Sequence, residues 1–215
     1  MGLFRSLKRA VRERGPRVLA QWLYWPLVWR HRLGPRRAWT RLHVGCGRNR
    51  FEGWINADID PRADLVVFLE RRLPFPEGRL DRIYSEHVLE HAPFAEGLRF
   101  AKEAHRTLKP GGVLRIAMPD LRDLVAGYHL GDWRSRLDWV QWPDYAFLQT
   151  GAHMINVAFR WWGHQHLYDR EELERLLREA GFRQVVFPAI GESAHEDLRG
   201  LETRKDSHLV AEATR

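Results

Sequence analysis

The chain has 215 residues, enough for one α/β domain with a sizeable core plus appendages. Its single cysteine, Cys46, excludes an intrachain disulfide and fits a reducing compartment, in the simplest case the cytoplasm. The net charge of +7 sits at one end: residues 1–40 hold ten Lys or Arg against one acid, Glu13, and carry +9, which leaves −2 for residues 41–215 and argues against a nucleic-acid groove in the main domain.

The N-terminal arm, residues 1–40, opens with Leu3, Phe4, Leu7, Ala10 and Val11 on one helical face and Arg5, Lys8, Arg9 and Arg12 on the other, the pattern of an interfacial helix. After Gly15-Pro16 an apolar run from Val18 to Trp29 leads into a basic cluster, Arg30 to Arg37. Twelve residues that include Gln21 and Pro26 are too few to cross a bilayer, which takes about 20. The Trp and Tyr of this run suit the headgroup region and the flanking Arg suit anionic lipid, so one expectation is that residues 1–37 attach peripherally to an anionic membrane surface, the inner face. The other is that the arm packs on the domain or on a second subunit. No small-residue cleavage site follows the run, which disfavours a secretory signal. Met1-Gly2 to Ser6 fits a myristoylation pattern too short to weigh.

From Arg41 onward the apolar spacing predicts strands at 41–45, 54–59, 64–69, 80–85, 112–118, 183–188 and 207–212, and helices at 93–108, 119–128 and 169–180. This is the order of a Rossmann-like, seven-stranded, mostly parallel, doubly wound α/β sheet, with little room for helices between the first strands. The last two strands are joined by a polar connection without a helical pattern and are expected to be antiparallel.

The first predicted strand ends in Val44-Gly45-Cys46-Gly47. An apolar run closing on Gly-x-Gly is a strand that turns sharply where a ligand approaches the backbone. The next strand ends in Asp58-Ile59-Asp60, where an α/β sheet presents an acid to ribose hydroxyls. A dinucleotide site would want a third glycine at position 50, where this chain has Arg50, and an acid about 20 residues on; Asp58 comes 13 residues after Gly45. A nicotinamide-dependent reductase is therefore the weaker reading. S-adenosylmethionine, a nucleoside without phosphate, needs only the turn and the acid. Cys46 reads as a small wall residue, because the sequence sets no basic group beside it.

Further fragments follow in order: Leu73-Pro74-Phe75, Leu80-Asp81-Arg82-Ile83-Tyr84-Ser85-Glu86-His87-Val88-Leu89-Glu90-His91, Leu108-Lys109-Pro110-Gly111-Gly112 and Glu179-Ala180-Gly181-Phe182. Together with Val44–Gly47 and Asn56–Asp58 they resemble the class I S-adenosylmethionine-dependent methyltransferases, over about residues 41–212. The resemblance is strongest to the small bacterial branch of the methyltransferase-11-like group met among cell-surface glycan genes. It implies S-adenosylmethionine as cofactor, held by Gly45, Cys46, Gly47, Asp58, Ile59, Phe68, Leu69, Ser85 and Glu86. Ser85 to His87 would border its methionine end, with Glu90 and His91 as support for that loop. Many relatives carry an acid where this chain has Phe68, so backbone groups at Phe68 and Leu69 would have to read the adenine edge.

Residues 119–168, a stretch that a bare sheet does not need, hold five of the ten tryptophans. In the family such a region covers the cofactor and recognises the acceptor, and aromatic faces suit a sugar, a lipid-linked glycan or another amphipathic small molecule. A satellite aromatic cluster is the alternative. Methyl transfer to an oxygen, or less readily a nitrogen, calls for a proton acceptor: His166, before Tyr168-Asp169, is the first candidate, with His87 and His164 behind it. No metal is expected, because no cysteine or carboxylate joins His164 and His166 at a customary spacing. A noncatalytic, membrane-recruited nucleoside-binding module is the rival reading.

Overall fold

The computed structural model describes residues 38–215, so the expectations for residues 1–37 lie outside the described residues. One sheet contains β1 (Arg41–Val44), β2 (Ile55–Asp58), β3 (Leu65–Val66), β4 (Leu80–Glu86), β5 (Leu108–Met118), β6 (Gln184–Val186) and β7 (Leu209–Thr214), in the order β3-β2-β1-β4-β5-β7-β6. The strands β1 to β5 pair in parallel, and β7 runs antiparallel to both β5 and β6, as expected for the last pair. Helices α1 (Phe94–Thr107), α2 (Leu121–Leu130) and α5 (Arg170–Glu179) fall where the periodicity predicts them, and α3 (Trp133–Arg136) and α4 (Gly151–Arg160) are additional.

Strand alternation divides the core in two. Leu42, Val44, Ile55, Ala57, Ile83, Leu114 and Ile116 face one side, where Phe100, Ala101 and Ala104 of α1 and Leu173, Leu176 and Leu177 of α5 cover them. The alternate positions His43, Tyr84 and Arg115 face the other side, which the β6–β7 connection covers: Leu198 and Leu201 pack on Trp54, Tyr84 and Val113. His43 stacks on Phe51 at 4.3 Å, and burial pushes its pKa down to about 4.

Charge fastens that connection. Arg115, fully buried, donates to Glu202 at 2.7 Å and to Glu212 at 2.6 Å, and Glu212 is its cross-strand partner on β7. A guanidinium taken out of water persists only when carboxylates meet it in this way. Arg82 on the same face reaches Asp197 at 3.2 Å.

Helix starts follow local chemistry. Asp169 caps α5 by accepting from the Glu172 N–H at 2.9 Å, and Thr150 caps α4 through the His153 N–H at 3.1 Å. No helix among the described residues is long and apolar enough to cross a membrane.

Candidate active site

At the carboxyl end of β1 the chain turns through Gly45 (φ +76°) and Gly47 (φ +50°). The Gly45 and Cys46 N–H groups both donate to the Ala57 carbonyl, at 2.8 and 3.1 Å, which fixes the turn to β2. A Cβ on Gly45 would lie 2.1 Å from Cγ2 of Val88, so the loop leaving β4 packs directly on this glycine. Gly45→Ala is therefore expected to cost about 2–4 kcal/mol, part from left-handed backbone and part from overpacking. Adding Val88→Ala should return the overpacking part in denaturant unfolding; an unchanged midpoint in Gly45→Ala alone would show that the two do not touch.

A Cβ on Gly47 would meet nothing within 4 Å, so this residue borders open space. Its N–H donates to Asp58 Oδ2 at 2.9 Å, and the Asp60 N–H donates to Asp58 Oδ1 at 2.8 Å. The acid is thus held beside the glycine turn, and an ionised carboxylate has about four acceptor sites for two such donors. Ile59 follows, half-buried. Burial, then the Asp58 charge, pushes the Cys46 thiol up to about 11, which makes it a wall residue. The turn continues into a loop, so no helix N-terminus stands behind it to receive a pyrophosphate.

Ser85 lies on β4 opposite Val44 of β1; it is buried, and its Oγ has no hydrogen-bond partner. An orphaned hydroxyl one strand from the glycine turn is a natural contact for a ligand there. Phe68 is buried beyond the short β3, with the Arg71 guanidinium 5.9 Å from its ring centre, and Leu69 packs partly on the core. Glu86 is placed otherwise. Its carboxylate accepts from the Thr203 N–H at 3.0 Å, the Thr203 hydroxyl at 2.6 Å, the Arg204 N–H at 3.1 Å and the Ser207 hydroxyl at 2.8 Å. These bonds hold residues 203–207 in a loop over the sheet edge, and β7 accordingly starts at Leu209, two residues later than predicted.

The structure separates the three candidate histidines. His87 (φ +51°) is the one non-glycine residue with positive φ among the described residues. Its Nε2 lies 3.1 Å from Ser207 Oγ and its Nδ1 3.4 Å from Glu90 Oε1, and burial pushes its pKa down to about 3. His164 donates from Nδ1 to the Ala158 carbonyl at 2.7 Å, and burial lowers its pKa. His166 is more exposed than His87, 31 against 10% of the side chain, and its Nε2 is 2.9 Å from Glu172 Oε1. Glu172 in turn accepts two hydrogen bonds from Arg175, and these lower its pKa. Sequence reasoning missed Glu172 as a partner, although Asp169-x-x-Glu172 is legible as a capping box.

The ground for expecting no metal does not hold in three dimensions. Glu90 and His91, 73 positions before His164 in the case of His91, stand beside His164 in the fold.

The tryptophans of residues 119–168 divide. Trp133 and Trp139 are buried with Leu124, Leu137, Met154 and Val157 in a second core, where Trp162 donates to the Tyr145 hydroxyl at 2.8 Å. Trp142 and Trp161 remain exposed, with Tyr128, Phe147 and Phe159. The satellite-core reading thus accounts for four of these rings, and the exposed ones pack in part on one another, Phe147 lying 5.6 Å from Trp161 and 6.2 Å from Tyr145.

A glycine turn on β1, an acid closing β2, and a sheet in which β7 inserts between β5 and β6 occur together in a chain whose residues 30–186 match the family profile of the methyltransferase domain. The chain belongs to the methyltransferase domain family. S-adenosylmethionine is its cofactor. The methyltransferase is 30% identical to a sterol 24-C-methyltransferase of Gibberella zeae over 115 residues, 49% of this chain and 30% of that enzyme. It is 29% identical to the sterol 24-C-methyltransferase of Pneumocystis carinii over 96 residues, 40% of this chain and 25% of that enzyme. The matches thus span less than a third of these curated relatives. Among solved structures, S-adenosylmethionine-dependent methyltransferases of Thermotoga maritima and Archaeoglobus fulgidus share the fold, each with a TM-score of 0.50 and 16% identity. The alignments cover 92 and 86% of this methyltransferase and 96 and 91% of those chains.

Proposed function

We propose that this methyltransferase moves the methyl group of S-adenosylmethionine to an oxygen of a small-molecule or glycan-like acceptor. Asp58 takes the ribose hydroxyls, and the backbone of Gly45, Cys46 and Gly47 lies along the nucleoside. Ile59, Phe68 and Leu69 flank the adenine, while Ser85 and the backbone of Glu86 meet the methionine end. The observation that carries an oxygen acceptor is the His166–Glu172 contact of 2.9 Å. If His166 donates to Glu172 from Nε2, its Nδ1 keeps the lone pair that a hydroxyl proton needs, with the carboxylate fixing the ring. His87 is too weakly basic for that work. In-line displacement on a sulfonium needs little more than alignment, so positioning supplies most of the rate.

Titration calorimetry with S-adenosylmethionine, S-adenosylhomocysteine and NADH tests the cofactor half of the reading. S-adenosylhomocysteine release over a panel of hydroxyl, amine and sterol acceptors tests the other half. Binding of the two adenosyl ligands alone, with turnover on hydroxyls, is the expected result. Turnover on amines only would reject oxygen as the acceptor atom, and binding without any turnover would favour a nucleoside-binding module. A second reading, carbon methylation of a lipid, is favoured by the two sterol methyltransferase stretches and predicts turnover on sterols instead.

We also propose that residues 1–37 bring the enzyme to an anionic surface, which would make it a cytoplasmic, peripheral membrane protein. The motive is the +9 charge of residues 1–40 beside a Trp-rich apolar run. Full-length protein should float with anionic vesicles in low salt and lose this on truncation or in about 1 M salt. Equal flotation of full-length and truncated protein would leave the arm as a packing element.

A further inference from the structure

The loop leaving β4 and the segment before α5 are pinned together. The Gln165 and His166 N–H groups donate to the Glu90 carbonyl at 2.7 and 3.2 Å, which sets His164 against the 3-10 turn Leu89–His91. One donor atom from each of Glu90, His91 and His164 then lies within 4.8 Å of the others, and the rings of His91 and His164 meet edge to face at 4.8 Å.

Glu90 is 1% exposed, and neither of its carboxylate oxygens accepts a hydrogen bond. The Nδ1 of His87 lies 3.4 Å from Oε1. A carboxylate held this way is stabilised either by a proton or by a cation. The neighbouring side chains point to the cation. With Nδ1–H of His164 given to the Ala158 carbonyl at 2.7 Å, its Nε2 lone pair is available, which is how a backbone carbonyl orients a metal-ligating imidazole. His91 and His164 are only half-buried, so an ion has a path in from solvent.

We propose that Glu90, His91 and His164 bind one divalent transition-metal ion of the zinc class. Two imidazoles and one carboxylate suit zinc, iron, cobalt or nickel, whereas magnesium and calcium take oxygen donors. For tetrahedral zinc at about 2.0–2.1 Å the donor atoms would close to about 3.3 Å from one another, a movement within reach of side-chain rotation. Three protein ligands leave a fourth position for water or, if the methyl-transfer reading holds, for an acceptor oxygen. The binding site itself does not depend on that reading.

The test uses the full chain, stripped with a chelator and titrated with Zn²⁺ by calorimetry and with Co²⁺ by visible absorption. One saturable site per chain is expected, with Co²⁺ giving the intense visible bands of a four-coordinate ion. Glu90→Gln and His164→Asn, each checked for folding by circular dichroism, should weaken it at least about 100-fold, since even residues behind a ligand cost 10–100-fold. His129→Asn, exposed and elsewhere, should leave it unchanged. Should either ligand variant fail to fold, His91→Asn takes its place. A stripped wild-type chain that shows no saturable site overturns the proposal, as does a site that survives in folded Glu90→Gln and His164→Asn, which would assign it to other histidines.

Discussion

His166→Ala should lower the single-turnover methylation rate by about 10²–10⁴-fold while leaving the affinity for S-adenosylmethionine nearly intact. A hydroxyl is a poor nucleophile until its proton has somewhere to go, and an imidazole nitrogen with a free lone pair can take it. Of the three histidines considered for this role, His166 is the one paired with a carboxylate hydrogen-bonded to it, Glu172, and it is more exposed than His87. The loss in His166→Ala should shrink at high pH, where hydroxide substitutes for the base. Glu172→Gln should give a smaller loss in rate, because the ring keeps its basic nitrogen but loses the group that orients it. Rapid quench of enzyme preloaded with cofactor measures both. A near-normal rate in His166→Ala would reject the role and leave positioning alone as the source of catalysis.

Asp58→Ala should weaken S-adenosylmethionine binding by about ten- to more than a hundredfold, the loss of a charge-assisted hydrogen bond worth on the order of 1.5–3 kcal/mol. The structure adds a second consequence. Asp58 accepts from the N–H groups of Gly47 and Asp60, so its removal also loosens the glycine turn. Asp58→Asn distinguishes the two effects, because the amide oxygen accepts one of those N–H groups while the charge is gone. Equal weakening in both variants would assign the loss to the charge; a much milder Asn would assign it to the turn. Unchanged affinity in a folded Asp58→Ala would remove Asp58 from the site altogether.

What the sequence alone carried was everything that repeats at short range. Alternation with period two located the strands, from Leu42 and Val44 to Leu114 and Ile116, because a pleated strand puts its apolar residues on one face. Gly45 and Gly47 were legible because a sharp turn at positive φ leaves few other choices, and Asp58 because the end of the next strand has to lie beside that turn. Arg50 in place of a third glycine and an acid only 13 residues after Gly45 count against a dinucleotide in the sequence, and the loop between β1 and β2 indeed holds no helix.

Only the tertiary structure decided which distant groups meet. Glu86 looked like a cofactor contact from its place at the end of β4, yet its carboxylate is bound by Thr203, Arg204 and Ser207, more than a hundred residues on. Arg115 sits in an apolar strand, and nothing local announces that Glu202 and Glu212 will neutralise it. The same holds for Glu90 and His91, whose spacing to His164 looks meaningless along the chain and becomes a cluster once Gln165 and His166 dock on the Glu90 carbonyl. Periodicity reports how one segment buries its own apolar face, whereas the pairing of buried charges depends on which segments the folded chain brings into contact, and that information is not present in any single window of sequence.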